Sequence, residues 1–179
     1  MKKHFLTALV AALLLFATGS LAEPNHIYDN AQLFSKEDIV AIDTAITKLQ
    51  KDTHLDFAIL TTDDYLGDDN GIAIGQRFYT SQGYGLDEYK SGLLFYIDMS
   101  QKKQYIVTMG YLDTLVSDDM LSSVMDGMTP YLADENYKDG ILQLIQFITD
   151  TYHTYLASAF SPETATPETT TSATATPAP

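Results

Sequence analysis

Within SGLLFYIDMSQKKQYIVTMG, residues 91–110, two apolar runs flank a polar turn. The first run, Leu93 to Ile97, has no polar residue to turn toward water, so as a strand it needs cover on both faces. The second, Tyr105 to Met109, follows through Met99 to Lys103, and the pair predicts a β-hairpin. Upstream, Leu55 to Thr61 reads as another strand, ending in Thr62, Asp63 and Asp64. One helix lies between Leu60 and Leu93, which makes a βαβ crossover of ordinary length. A crossover, a hairpin and a strand covered on both sides together imply an α/β fold. We expect a three-layer sandwich in which helices flank a small mixed sheet.

The helices carry their own start and stop signals. Ser35 is a good N-cap, and Ile39, Ile42, Ile46 and Leu49 recur at helical spacing up to about Lys51 or Asp52. A second helix starts from the cap-rich stretch Gly67 to Gly71, with Asp68, Asp69 or Asn70 as its cap, and runs to Gln82. Gly83 is a natural C′ residue there. Ser117, Asp118 and Asp119 cap a third, which Pro130 is expected to end. The last starts near Asn136 and keeps a 3.6-residue period through Tyr137, Ile141, Leu144, Ile145, Ile148, Tyr152 and Tyr155. The stretch before Ser35, NHIYDNAQLF, reads as an extended approach. The expected order is α-β-α-β-β-α-α.

Both termini read differently from this domain. Residues 1–22 have the form of a secretory signal: Lys2 and Lys3, a 12-residue apolar stretch from Phe5 to Phe16, then Ser20-Leu21-Ala22 before Glu23. Twelve apolar residues are too few for a membrane-spanning helix. From Ser161 to Pro179 the chain is Thr, Ala and Pro with two Glu, a composition expected to stay an extended, solvated tail. The folded domain is then residues 23–160, secreted or extracytoplasmic after cleavage near Ala22, with no membrane insertion by the mature chain.

The net charge is −14, and −16 once Lys2 and Lys3 leave with the signal. That excludes a basic surface for nucleic acid or anionic lipid. Of the 24 acidic residues 18 are Asp, the residue of turns, caps and hard-cation sites. There is no Cys, so thiol chemistry and Cys-ligated metals are excluded. No G-x-S-x-G, P-loop, H-E-x-x-H or G-x-G-x-x-G is present. His26, His54 and His153 share no ligand spacing, and a structural or surface role is expected for each. DDYLGDDNG, residues 63–71, fails as an EF-hand loop, because the register that fits Gly71 puts Arg77 where a Glu is needed.

Three acidic points stand out: Asp63 and Asp64 after the first strand, Asp98 after the second, and Asp118 with Asp119 at a helix start. Ligands of open α/β sheets sit beyond the carboxyl ends of parallel strands. If the first two strands are parallel, Asp63, Asp64 and Asp98 share one end, while Asp118 starts near the other. Clustered carboxylates raise one another's pKa or take a cation, and with few basic residues a hard ion, Ca or Mg, is the economical partner.

The chain resembles the TPM domain family over about Ile27 to Leu156. YDNAQLFSKEDIVAI is similar to the family opening, and DFAILTT to its first core strand. FYTSQGYGLDEYKSGLLFYIDMSQKKQYIVTMGYLDTLVSDD is similar to the central block, and MTPYLADENYKDGILQLI to the closing one. The resemblance implies a small α/β sandwich. It also implies divalent-cation binding through Asp residues and the phosphatase activity ascribed to some plant members. Asp29 and Asp118 carry over from the family pattern; Asp63, Asp64 and Asp119 join them on chemistry. The family often has Asn where this chain has Ser91, and Asp-Arg where it has Gln101 to Lys103.

Three functions follow as alternatives. One is a cation-binding accessory module that meets an envelope or extracellular protein. Another is a metal-assisted phosphatase for phosphomonoesters in which Asp29 and Asp118, with Asp63 or Asp64, hold the ion and Asp118 is catalytic. The last is a purely structural interaction domain.

Overall fold

The computed structural model describes residues 25–66 and 70–159. The expected signal at 1–22, Asp68 and Asp69, and the expected tail from Ser161 lie outside the described residues. Four strands form one sheet in the order β1-β2-β3-β4: β1 Ile27–Asp29, β2 Asp56–Thr62, β3 Gly92–Asp98 and β4 Lys103–Met109. The first three are parallel, and β4 returns antiparallel as the second arm of the hairpin. All seven residues of β2 and all seven of β3 are buried, as the continuous apolar run requires.

Helices cover both faces. On one face α1 (Lys36–Thr53), α4 (Asp118–Ala133) and α5 (Tyr137–Ala159) pack over Phe57, Ile59, Leu93, Phe95 and Ile97. On the other, α2 (Gly71–Gln82) sends Ile74 and Tyr79 against Ala58, Leu60, Leu94 and Tyr96. The alternation of side chains along β2 and β3 thus feeds two separate cores. α1 is closed at its start by a capping box between Ser35 and Asp38. Asn70 caps α2, and Gly83 ends it in the left-handed conformation.

Three elements differ from the sequence expectation. The extended approach contains a strand, β1, pairing Ile27 with Ile59 and Asp29 with Thr61. Three residues are too few to show a period, and the pairing partner is 32 residues away. A four-residue helix, α3 (Leu112–Leu115), fills the loop after the hairpin, where Leu112 is buried. Pro130 does not end α4, which runs on to Ala133. Proline removes its own N–H but leaves its carbonyl free to accept, and Asp134 N donates to Pro130 O at 3.1 Å. The fully buried Met128 and the adjacent Leu132 hold that last turn on the core.

The crossovers have an unusual relation. β1-α1-β2 and β2-α2-β3 step in the same direction across the sheet, yet α1 and α2 lie on opposite faces. Two right-handed crossovers stepping the same way would put both helices on one face, so one of the two is left-handed, against the strong general rule. The chain therefore leaves β1 toward one face and β2 toward the other. In α/β sheets, neighbouring strands that diverge in this way form at their carboxyl ends the crevice where ligands sit.

Candidate functional site

At this crevice stand Asp29, closing β1, and Asp63 and Asp64, just past β2. Asp29 is half-buried and heavily engaged. Its Oδ1 accepts from Leu33 N at 2.9 Å and from Thr61 Oγ1 at 2.6 Å, and its Oδ2 accepts from Phe34 N at 3.0 Å. Thr61 Oγ1 in turn accepts from Ala31 N at 3.1 Å. The carboxylate thus organises the turn that leads from β1 to α1, and one acceptor direction on Oδ2 is left for another partner. Asp63 and Asp64 are exposed, as is Asn30 at the end of β1. These exposed groups are hard oxygen donors that follow β1 and β2, next in sequence to the braced Asp29 and Thr61.

Asp98 leaves the sheet at the same end, since it pairs with Thr62. It is buried and serves the hairpin turn. Ser100 Oγ donates to it at 2.6 Å, Gln101 N at 3.0 Å, Tyr96 Oη at 3.1 Å and Gln101 Nε2 at 3.2 Å. Burial alone would raise its pKa, but these four bonds outweigh burial and hold the carboxyl below the usual range. Gln101 therefore acts as a turn residue here.

Asp118 and Asp119 lie elsewhere. Both are exposed in the first turn of α4, where Ser117 caps the helix by accepting from Met120 N. The far end of α4, at Thr129, Leu132 and Ala133, flanks Gln104, which pairs with Ile97 near the carboxyl end of β3. Sixteen residues of helix, about 24 Å at 1.5 Å each, separate Asp118 from that end. The sequence-predicted set is thus divided: Asp29, Asp63 and Asp64 at the same end of the sheet, Asp118 and Asp119 elsewhere. Among the described residues no three His, Cys, Asp or Glu side chains are grouped to hold one metal ion.

The opposite end of the sheet holds a buried polar cluster that sequence spacing did not reveal. Asp56 opens β2 and is buried. Its Oδ2 accepts from Gly85 N at 2.8 Å, and its Oδ1 from Gln50 Nε2 and from Phe57 N, both at 2.9 Å. His26 Nε2 stands 3.1 Å from the same Oδ1 and 2.9 Å from Gln50 Nε2. Burial pushes the Asp56 carboxyl up; the bonds from His26, Gly85 and Gln50 more than reverse this and hold it low. Nearby, Tyr84 Oη donates to Asn25 O, and Ser91 Oγ accepts from Tyr111 N at 2.8 Å. Ser91, at the position where the family often has Asn, is wholly buried and ties the loop after β4 to β3. The signal for this cluster was an acid opening an otherwise apolar strand. Its partner His26 lies thirty positions away in sequence.

Against known proteins, the model of the TPM domain matches residues 27–151. The UPF0603 protein YdjH of Bacillus subtilis (strain 168) is 29% identical over 121 residues, which is 68% of this chain and 45% of that protein. The chain thus spans less than half the length of this relative. Two solved structures share the fold. The N-terminal domain of a protein from P. gingivalis superposes with a TM-score of 0.63 at 20% identity, covering 76% of this chain and 87% of that one. The BA42 protein of Bizionia argentinensis gives 0.58 at 19% identity, covering 68% and 83%. With most of its length matched by the family model, this chain belongs to the TPM domain family.

Proposed function

We propose that this chain is an extracytoplasmic accessory module that takes a hard divalent cation, Ca or Mg, at the crevice between the carboxyl ends of β1 and β2. The divergence of those two strands to opposite faces, with Asp63 and Asp64 exposed beside it, carries the reading. The donor set fits such an ion: two free carboxylates and the Asn30 amide, all oxygen donors, with Asp29 bracing the floor. Two carboxylates leave most of the coordination to water, so the affinity is weak. The bound ion would offset local charge and present a site for an acidic or carbonyl-rich segment of an envelope partner.

The phosphatase reading asks more of the molecule. It needs Asp118 and Asp29 at one ion, and a cationic group for the phosphate. Asp118 opens α4 while Asp29 closes β1, and Lys90 Nζ is directed to Gly85 O at the other end of the sheet.

Thermal melts of the full chain test the proposal. Ca²⁺ or Mg²⁺ at ten times its dissociation constant should raise Tm by about 5 °C beyond an ionic-strength-matched NaCl control. The shift should vanish in Asp63→Ala/Asp64→Ala and persist in Asp118→Asn. No shift with either ion would sink the reading. Metal-dependent hydrolysis of an aryl phosphate that is lost in Asp118→Asn would replace it with the enzyme.

A further inference from the structure

β4 forms one edge of the sheet, and its free side can be worked out residue by residue. Met99 N donates to Thr62 O at 2.8 Å, and Ser91 O accepts from Asp56 N at 3.1 Å. Odd-numbered residues along β3 therefore turn their backbone groups toward β2, and even-numbered ones toward β4. Those even residues pair with Met109, Val107, Tyr105 and Lys103. Gln104, Ile106 and Thr108 are left with N–H and C=O pointing away from the sheet. Among the described residues none of these six groups has a hydrogen-bond partner. Apart from Lys103 at its start, the strand lacks the usual protections of an edge. It has no proline, and its ladder to β3 runs unbroken over seven pairs.

We propose that β4 pairs antiparallel with β4 of a second copy of this chain, about a two-fold axis at Ile106, to make one continuous sheet. The sequence KQYIVTM is self-complementary in that register. Ile106 meets its own copy, Gln104 meets Thr108, and Tyr105 meets Val107, three pairings of like polarity, while at the ends Lys103 meets Met109. The three outward residues are the ones placed opposite each other, which satisfies all six backbone groups on each side.

The charges agree with the same arrangement. Lys102 and Lys103 sit at one end of β4, and Asp113, bonded to Thr108 Oγ1 at 2.6 Å, sits at the other. Antiparallel pairing runs the lysine end of one strand alongside the Asp113 end of its partner. On the face of α4 a hollow of about 260 Å³, bordered by Gln104, Met125, Thr129 and Leu132, leaves room beside the edge for the partner's side chains. This inference stands apart from the cation reading and survives its failure.

Sedimentation of the full chain over a concentration series, at moderate salt, tests it. The wild type should dimerise. Gln104→Lys/Thr108→Lys sets like charges opposite each other twice and should weaken the dimer about tenfold. Gln104→Lys/Thr108→Glu sets opposite charges there and should restore it. Both doubles alter the same two half-exposed positions and lose the Thr108–Asp113 bond; because Glu at 108 also faces Asp113 and Lys does not, each is compared with the melting temperature of its own monomer. A wild type of monomer mass up to about 1 mM overturns the pairing, since no tighter association would escape that range. So does a dimer that both doubles weaken equally. A monomer whose amides at 104, 106 and 108 are slow to exchange also overturns it, and would mean that a different segment occupies the edge.

Discussion

Asp29 illustrates how much one carboxylate can organise. It holds two backbone amides and the Thr61 hydroxyl, and through them the turn from β1 into α1. Asp29→Ala should cost about 2–4 kcal/mol in urea unfolding, because three donors lose their acceptor. Thr61→Val should cost less, and the double variant should fall short of the sum because the two share a bond. Asp56 and Asp98 predict the acid response. Both are held low in the folded state, so folding favours their charged forms. Their stabilisation is complete above the unfolded carboxyl pKa of about 3.9 and is lost as pH falls through the depressed folded value. Stability followed from pH 7 to pH 3 should therefore drop below about pH 4. Asp98→Asn should be less stable than wild type at pH 7 by about 1–3 kcal/mol and show a shallower acid limb. At this scale the sequence marked the acids well and their roles poorly. Asp98 closes a central strand in any reading, but only the folded turn brings Ser100 and Gln101 onto it. Asp56 announces itself as an acid in an apolar strand, yet His26 is brought to it by the parallel pairing of β1.

Among the elements, the hairpin was the most legible, because both apolar runs and the polar turn between them lie within twenty consecutive residues. β2 and the long helices followed from period and caps. β1 was hidden because a three-residue edge strand shows no period. The extension of α4 past Pro130 was hidden because it depends on Met128 and Leu132 packing against the core. Gly110, which follows β4, is a point where the element dictates the residue. Its φ is +61°, and a Cβ there would collide with the Tyr89 carbonyl and the Ser91 backbone. Gly110→Ala should destabilise by about 2–4 kcal/mol in urea melts, since both the conformation and the space are denied to alanine.

For the molecule as a whole, two cores share one sheet, and the acidic rim sits where the strands diverge. The three-layer class was legible, because a strand apolar on both sides needs two covering layers. The opposite hand of the two crossovers was not, for nothing in a periodic pattern says which face a helix will take. No described helix is long and apolar enough to cross a membrane. That handedness also has a consequence in time. As the chain emerges from its amino end, β1, α1 and β2 can join and cover one side of β2. Its other side, with Ala58 and Leu60, stays bare until α2 has followed. A same-face arrangement would leave both strands waiting on one later layer; here β2 waits on the helix that immediately succeeds it. The interval in which an apolar face stands open during synthesis is thereby limited to the making of about twenty residues, from Thr62 to Gln82.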